Sequence, residues 1–154
     1  MRAVQIDSFN GAKEEFASRG YLDFLVGALN ASEVKIGPGS TKAIRQHFDA
    51  ILRKDGWVLP YRIPGISELE ITAKKSEMLF QIQTGNISRY AYDLLKLQLI
   101  FSKKLAACAC LVVPSLNASK QISGNLAQGE RVSEEMKSFQ TFITVPLLVL
   151  TFGE

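Results

Sequence analysis

The sequence predicts an α/β (α+β) fold, a mixed β-sheet flanked by helices on both faces. Its first third carries apolar residues at helical spacing, with Ile44, Phe48, Ile51 and Leu52 forming one stripe. The middle then changes period to short alternating runs bounded by turn residues. Two later runs, "AACACLVV" and "VPLLVLTF", are almost wholly apolar. Strands of that kind are buried on both sides and need helices above and below.

In order along the chain, "NGAKEEFASRGYLDFLVGALN" reads as one helix, or as two broken near Gly20, ending around Asn30. "ASEVKIGPGS" is a connection, because Gly37, Pro38 and Gly39 interrupt regular structure. Ser40 or Thr41 caps the next helix, "TKAIRQHFDAILRKDG", and Gly56 stops it. "WVLPYRI", "SELEITA" and "MLFQIQT" read as an antiparallel meander, with "KKSE" turning tightly between the last two. "ISRYAYDLLKLQLIFSKK" is a long helix with a broad apolar face. The strand "AACACLVV" follows, then the helix "LAQGERVSEEMKSF", which Gly129 weakens, and finally the strand "VPLLVLTF". The predicted order is α, α, β, β, β, α, β, α, β.

At 154 residues the chain has room for one domain with a real core, and residues 1 to 154 are expected to form it. With 47% hydrophobic and 21% charged residues it has the composition of a globular protein. A formal charge of +3 permits an anionic partner such as nucleic acid without demanding one. No apolar run reaches the roughly 18 residues of a membrane span. The start "MRAVQIDSFNGAKEEF" lacks a signal peptide's apolar core, so a cytoplasmic protein with no membrane partner is expected. Cys108 and Cys110 point the same way on one strand and read as small buried hydrophobes.

No Walker loop, dinucleotide-binding glycine pattern or HExxH helix is present. Gly37 and Gly39 fit a turn better than an anion cradle. The single histidine, His47, lies mid-helix beside Phe48, which favours packing or surface work over a catalytic triad. The unusual feature is the hairpin "EITAKKSEMLFQIQTGN". Glu68, Glu70 and Thr72 share one face of its first strand, and Gln81 and Gln83 form a polar row on its second. Two rows facing the same way would bring several side-chain oxygens together, as a Mg²⁺ site does. A half-exposed hairpin whose polar face simply meets water gives the same spacing.

The hairpin block resembles the active-site block of the BglII/BstYI branch of type II restriction endonucleases, within the PD-(D/E)xK superfamily. "GPGSTKAIRQHFDAILRKDGW" resembles the helix before that site, and "LAQGERVSEEMKSFQTFITVPLLVLTF" the branch's last helix and strand. The likeness runs over roughly residues 20 to 152. It implies a restriction-endonuclease-like fold, a homodimer on double-stranded DNA, and Mg²⁺-dependent phosphodiester hydrolysis. In this branch an Asp ends the first strand and Glu-x-Gln follows after the turn. The Asp falls on Thr72, the Glu on Gln81 and the final Gln on Gln83. The site's two charges are therefore replaced by neutral groups.

Catalytic positions implied by the resemblance are Thr72, Gln81 and Gln83; Glu70, on the same strand face as Thr72, is the nearest acid that could replace the lost charge, with Glu70 and Gln81 as the metal ligands if the site has migrated. DNA contacts are expected from Lys74 and Lys75 at the turn, from Arg89, and from the helix start at Ser40, Thr41, Lys42 and Arg45, whose free amides favour phosphate. Several readings stay open on sequence alone. They are a DNA-binding protein with weak or lost hydrolysis, an active endonuclease built on Glu70 with Gln81 or Gln83, an engineered Gln81, and an interaction module without DNA binding.

Overall fold

The computed structural model describes every residue except Ser67, so the start of the predicted "SELEITA" strand lies outside the described residues. Among the described residues thirteen elements follow one another: β1 (Arg2–Phe9), α1 (Ala12–Ser18), α2 (Leu22–Asn30), α3 (Thr41–Lys54), β2 (Tyr61–Arg62), β3 (Glu70–Ile71), β4 (Ala73–Lys75), β5 (Met78–Ile82), α4 (Arg89–Ser102), β6 (Cys108–Pro114), α5 (Leu116–Ile122), α6 (Gly129–Phe139) and β7 (Leu147–Gly153). Five strands form a mixed sheet in the order β1-β7-β6-β5-β4. The inner pairs β5–β6 and β6–β7 are parallel, and the outer strands β1 and β4 run antiparallel to their neighbours.

Alternation along the strands feeds two cores. On one face Phe80, Cys108, Cys110, Leu148 and Leu150 pack with Phe16, Leu25, Leu29, Ile44, Phe48 and Leu52 of α1 to α3. Phe48 and Phe80 meet there with ring centroids 5.3 Å apart. On the other face Leu79, Ala109, Leu111 and Val149 pack with Tyr90, Leu94 and Leu97 of α4 and with Val132 and Met136 of α6. Every residue of β6 and β7 is buried, as their apolar runs require. Both cysteines are free and buried, and desolvation pushes the Cys108 thiol up to about 12.

The structure departs from the predicted order at three places, each with a physical cause. β1 is an edge strand whose outward residues Val4 and Ile6 are apolar and exposed, while its inward face alternates Ala3 and Phe9 at the ends with polar Gln5 and Asp7 between them. Asp7 accepts hydrogen bonds from Gln5 and from Ser133 of α6, both at 2.6 Å, so a polar network replaces the apolar face that would have marked the strand. The "SLNASKQIS" segment, rich in turn residues, forms α5 because Ser115 Oγ accepts from the Ala118 amide at 3.1 Å and caps it. The strand holding Glu70 is broken at Thr72. Only Ala73–Lys75 pairs with β5, while Glu70–Ile71 pairs with Tyr61–Arg62 in a separate two-stranded sheet. Glu70 and Gln81 are therefore not ladder partners, contrary to the expected adjacency.

The tight turn is as expected: Lys75 pairs with Met78, and Ser76 takes a left-handed φ of 49°. It is anchored from outside, since Lys75 Nζ reaches Asp55 Oδ2 at 3.0 Å and the Asp55 carbonyl. Burial alone would raise the Asp55 carboxyl, but hydrogen bonds from Lys75 and Trp57 outweigh it and hold Asp55 below its usual range. His47 is half-buried and 2.7 Å from the Ala28 carbonyl, a packing role.

Gly129 proves to be required rather than merely tolerated. A Cβ there would lie 1.9 Å from Thr151 Oγ1 and 2.6 Å from its Cγ2, so α6 meets β7 at a contact only glycine allows. Gly129→Ala, which would favour an exposed helix, is expected to destabilise this chain by about 1–3 kcal/mol. Urea unfolding should show the loss, and Thr151→Ala in the same chain should recover part of it by removing both atoms.

Candidate functional site

Where β5 runs past its helical cover, its polar residues open onto a cleft of about 550 Å³. Its floor is Thr72, Gln81, Ile82 and Gln83, and Glu70 stands at one side. Arg45, Asp49 and Arg53 approach from α3, and Arg89, Tyr92, Asp93 and Lys96 from α4. The cleft thus gathers four cations and three carboxylates. Of the positions read from sequence, it unites Glu70, Thr72, Gln81, Gln83, Arg45 and Arg89. Ser40, Thr41, Lys42, Lys74 and Lys75 do not line it. Lys75 is committed to Asp55, and Lys74 bonds the Ser76 carbonyl and lies 5.4 Å from the Tyr61 ring centre.

Local hydrogen bonding fixes the two glutamines. Gln81 Oε1 accepts from the Thr72 amide at 2.9 Å and from Thr72 Oγ1 at 3.2 Å, and Thr72 Oγ1 accepts from the Ile82 amide at 3.1 Å. Side chains thus replace the backbone ladder at the point where the strand breaks. Gln83 Oε1 accepts from the Gly85 amide at 2.7 Å, while its Nε2 donates to Asp93 Oδ2. A backbone N–H can only donate, so both amide orientations follow from their partners. Each glutamine turns its oxygen towards the protein.

Asp93 and Lys96 were not singled out by the sequence, yet they hold the cleft together. Lys96 Nζ lies 2.8 Å from Asp93 Oδ1, with side chains 12% and 4% exposed, and donates to the Glu70 carbonyl at 2.9 Å. The pair ties α4 to β3 and, through Gln83, to β5. A legible signal existed: Asp93 occupies the buried stripe of α4 beside Tyr90, Leu94 and Leu97, where an unpaired carboxylate would be costly.

The resemblance implies Mg²⁺. Mg²⁺ is held by carboxylates, with waters completing an octahedron. Among the described residues no group of three or more His, Cys, Asp or Glu side chains could hold a metal ion. Asp93 is spent on Lys96 and Gln83, Glu70 lies 3.8 Å from Arg62 Nε, and the Gln81 oxygen is taken by Thr72. These residues do not fit the metal.

Residues 4–152 match the family model described as restriction endonuclease BglII/BglIII. The chain belongs to the BglII restriction endonuclease family. Among solved structures it is similar to restriction endonuclease BglII complexed with a DNA 16-mer, at 15% identity and a TM-score of 0.83, covering 100% of this chain and 77% of that one. It is also similar to free BglII, at 16% identity and a TM-score of 0.73, covering 97% of this chain and 79% of that one. At such identities the likeness establishes the BglII fold, with its mixed sheet and flanking helices. No curated protein matches the chain. Among the described residues no helix is long and apolar enough to cross a membrane.

Removing one partner of the Asp93–Lys96 pair leaves a charge in a nearly closed site. Asp93→Ala is expected to cost on the order of 3 kcal/mol of stability. The double change Asp93→Leu with Lys96→Met should recover most of it in denaturant unfolding.

Proposed function

We propose that this BglII-family chain binds double-stranded DNA in its cleft, as a cytoplasmic homodimer, with Mg²⁺-dependent phosphodiester hydrolysis weak or lost. The observation that carries this reading is the Thr72–Gln81 pair on the cleft floor. In a metal-dependent nuclease, carboxylates hold the ion that polarises the phosphate and lowers the pKa of the attacking water. Here a hydroxyl and an amide occupy the positions that the family resemblance gives to those carboxylates, and they bond to one another. Neither carries charge to attract Mg²⁺. DNA affinity would rest on Arg45, Arg53 and Arg89, which lie in the cleft and form no ion pair among the described residues. A two-fold duplex site matches a two-fold protein, which supports the homodimer.

A second reading is favoured by Glu70, an acid that lines the same cleft. In that case a metal site would have migrated to Glu70 with Gln81 or Gln83, and Mg²⁺ binding would require these oxygens to leave Arg62, Thr72 and Gly85.

Binding should be detectable on mixed-sequence duplex DNA at low salt and should fall steeply towards physiological salt. Incubating plasmid DNA with the unmodified chain in Mg²⁺ or Mn²⁺ should leave it largely intact. Thr72→Asp combined with Gln81→Glu should produce clear cleavage. Strong cutting by the unmodified chain that Glu70→Ala abolishes would establish the migrated site. Absence of binding to several duplexes at low salt would favour an interaction module instead.

A further inference from the structure

We infer that the cleft takes a DNA phosphate directly on hydrogen-bond donors, with no divalent cation between them, and that Gln81 is one of those donors. This rests on the DNA-binding reading above and says how that binding is made. The argument begins with the side of Gln81 that the protein does not use. Its oxygen is held by the Thr72 amide and hydroxyl. Its Nε2 makes no hydrogen bond among the described residues, although Gln81 is only 8% exposed. Among the described residues the fully sealed unpartnered side-chain atoms are Arg19 Nε and Thr151 Oγ1, so Gln81 Nε2 keeps access to the cleft that Gln81 lines. An amide nitrogen that faces a cleft from a nearly buried side chain, with two hydrogens and no protein acceptor, is a site for an oxygen, and an anionic oxygen suits it best.

The surroundings have the matching sign. Arg45 donates through Nε to Thr84 Oγ1 at 3.0 Å, an anchor that leaves both terminal guanidinium nitrogens unbonded among the described residues. Arg89 borders the same cleft from the first turn of α4, its Cδ 3.9 Å from the position of a Cβ on Gly85. Asp93, the most buried carboxylate present, is neutralised by Lys96. Asp49 and Glu70 remain as acids, so Arg45, Arg53 and Arg89 outnumber them. A guanidinium fork binds two phosphate oxygens at once, and the Gln81 amide would supply a further donor from the floor. Where a carboxylate floor would present acceptors to a cation, this floor presents a donor to an anion.

Fluorescence anisotropy of a labelled mixed-sequence duplex, in EDTA and in MgCl₂ at matched ionic strength, tests this. The unmodified chain should bind in EDTA, and no more tightly in MgCl₂. Gln81→Glu keeps the Thr72 hydrogen bonds but turns an acceptor to the cleft, so it should weaken binding in EDTA about tenfold or more, with partial recovery in MgCl₂. Arg45→Gln, on the exposed face of α3, should weaken binding under both conditions. Circular dichroism and the unfolding midpoint identify any variant lost to misfolding. Tighter binding of the unmodified chain in MgCl₂, or a folded Gln81→Glu that binds equally well in EDTA, would overturn the inference and leave the DNA-binding reading standing. Absence of binding in either buffer would overturn both.

Discussion

Everything in this fold is arranged around two strands that have no solvent side. All seven residues of β6 and all seven of β7 are buried, so helices must cover both faces of the sheet at its centre. α1 to α3 and α5 take one face, α4 and α6 the other, and the glycine at the start of α6 marks how closely that cover is pressed. Such a sheet opens a row of polar side chains to solvent most readily where a strand outruns its cover. β5 does so after Phe80, at the carboxyl end of the parallel pair it forms with β6. Clefts at the carboxyl ends of strands in open α/β sheets are where ligands usually bind, because loops diverge there and leave room.

Within the cleft, polarity is decided by backbone amides. The Thr72 and Gly85 N–H groups have no choice but to donate, and each claims the oxygen of a glutamine. What remains for the solvent side is set by exclusion, as a nitrogen on Gln81 and a nitrogen committed to Asp93 on Gln83. The break in the strand at Thr72 follows from the same bonds. A side chain that occupies the Thr72 amide removes it from the ladder, and β3 is released to pair with β2.

Most of the fold was legible because its signals are strong. The stripe of α3, the broad face of α4 and the two apolar runs of β6 and β7 each leave one reading. β1 and α5 were not legible, since one hides a polar network behind an inverted pattern and the other is seven residues of turn-forming composition held by a Ser115 cap. At the site, the hairpin glutamines were conspicuous as amides on an otherwise apolar strand. Asp93 and Lys96 were not, because their meaning lies in a contact with Glu70 and Gln83 that spans separate elements. Lys74 and Lys75 show the converse: a turn lysine looks available to phosphate from sequence, and the pairing of Lys75 with Asp55 could not be read there.

The bond from Lys96 to residue 70 ends on a carbonyl. A main-chain acceptor is blind to the side chain it carries, so α4 would grip β3 equally well with another residue at that position. The Glu70 carboxylate, 52% exposed, is thereby relieved of architectural duty. Position 70 can therefore gain or lose acidity without loosening the frame, whereas position 93 cannot.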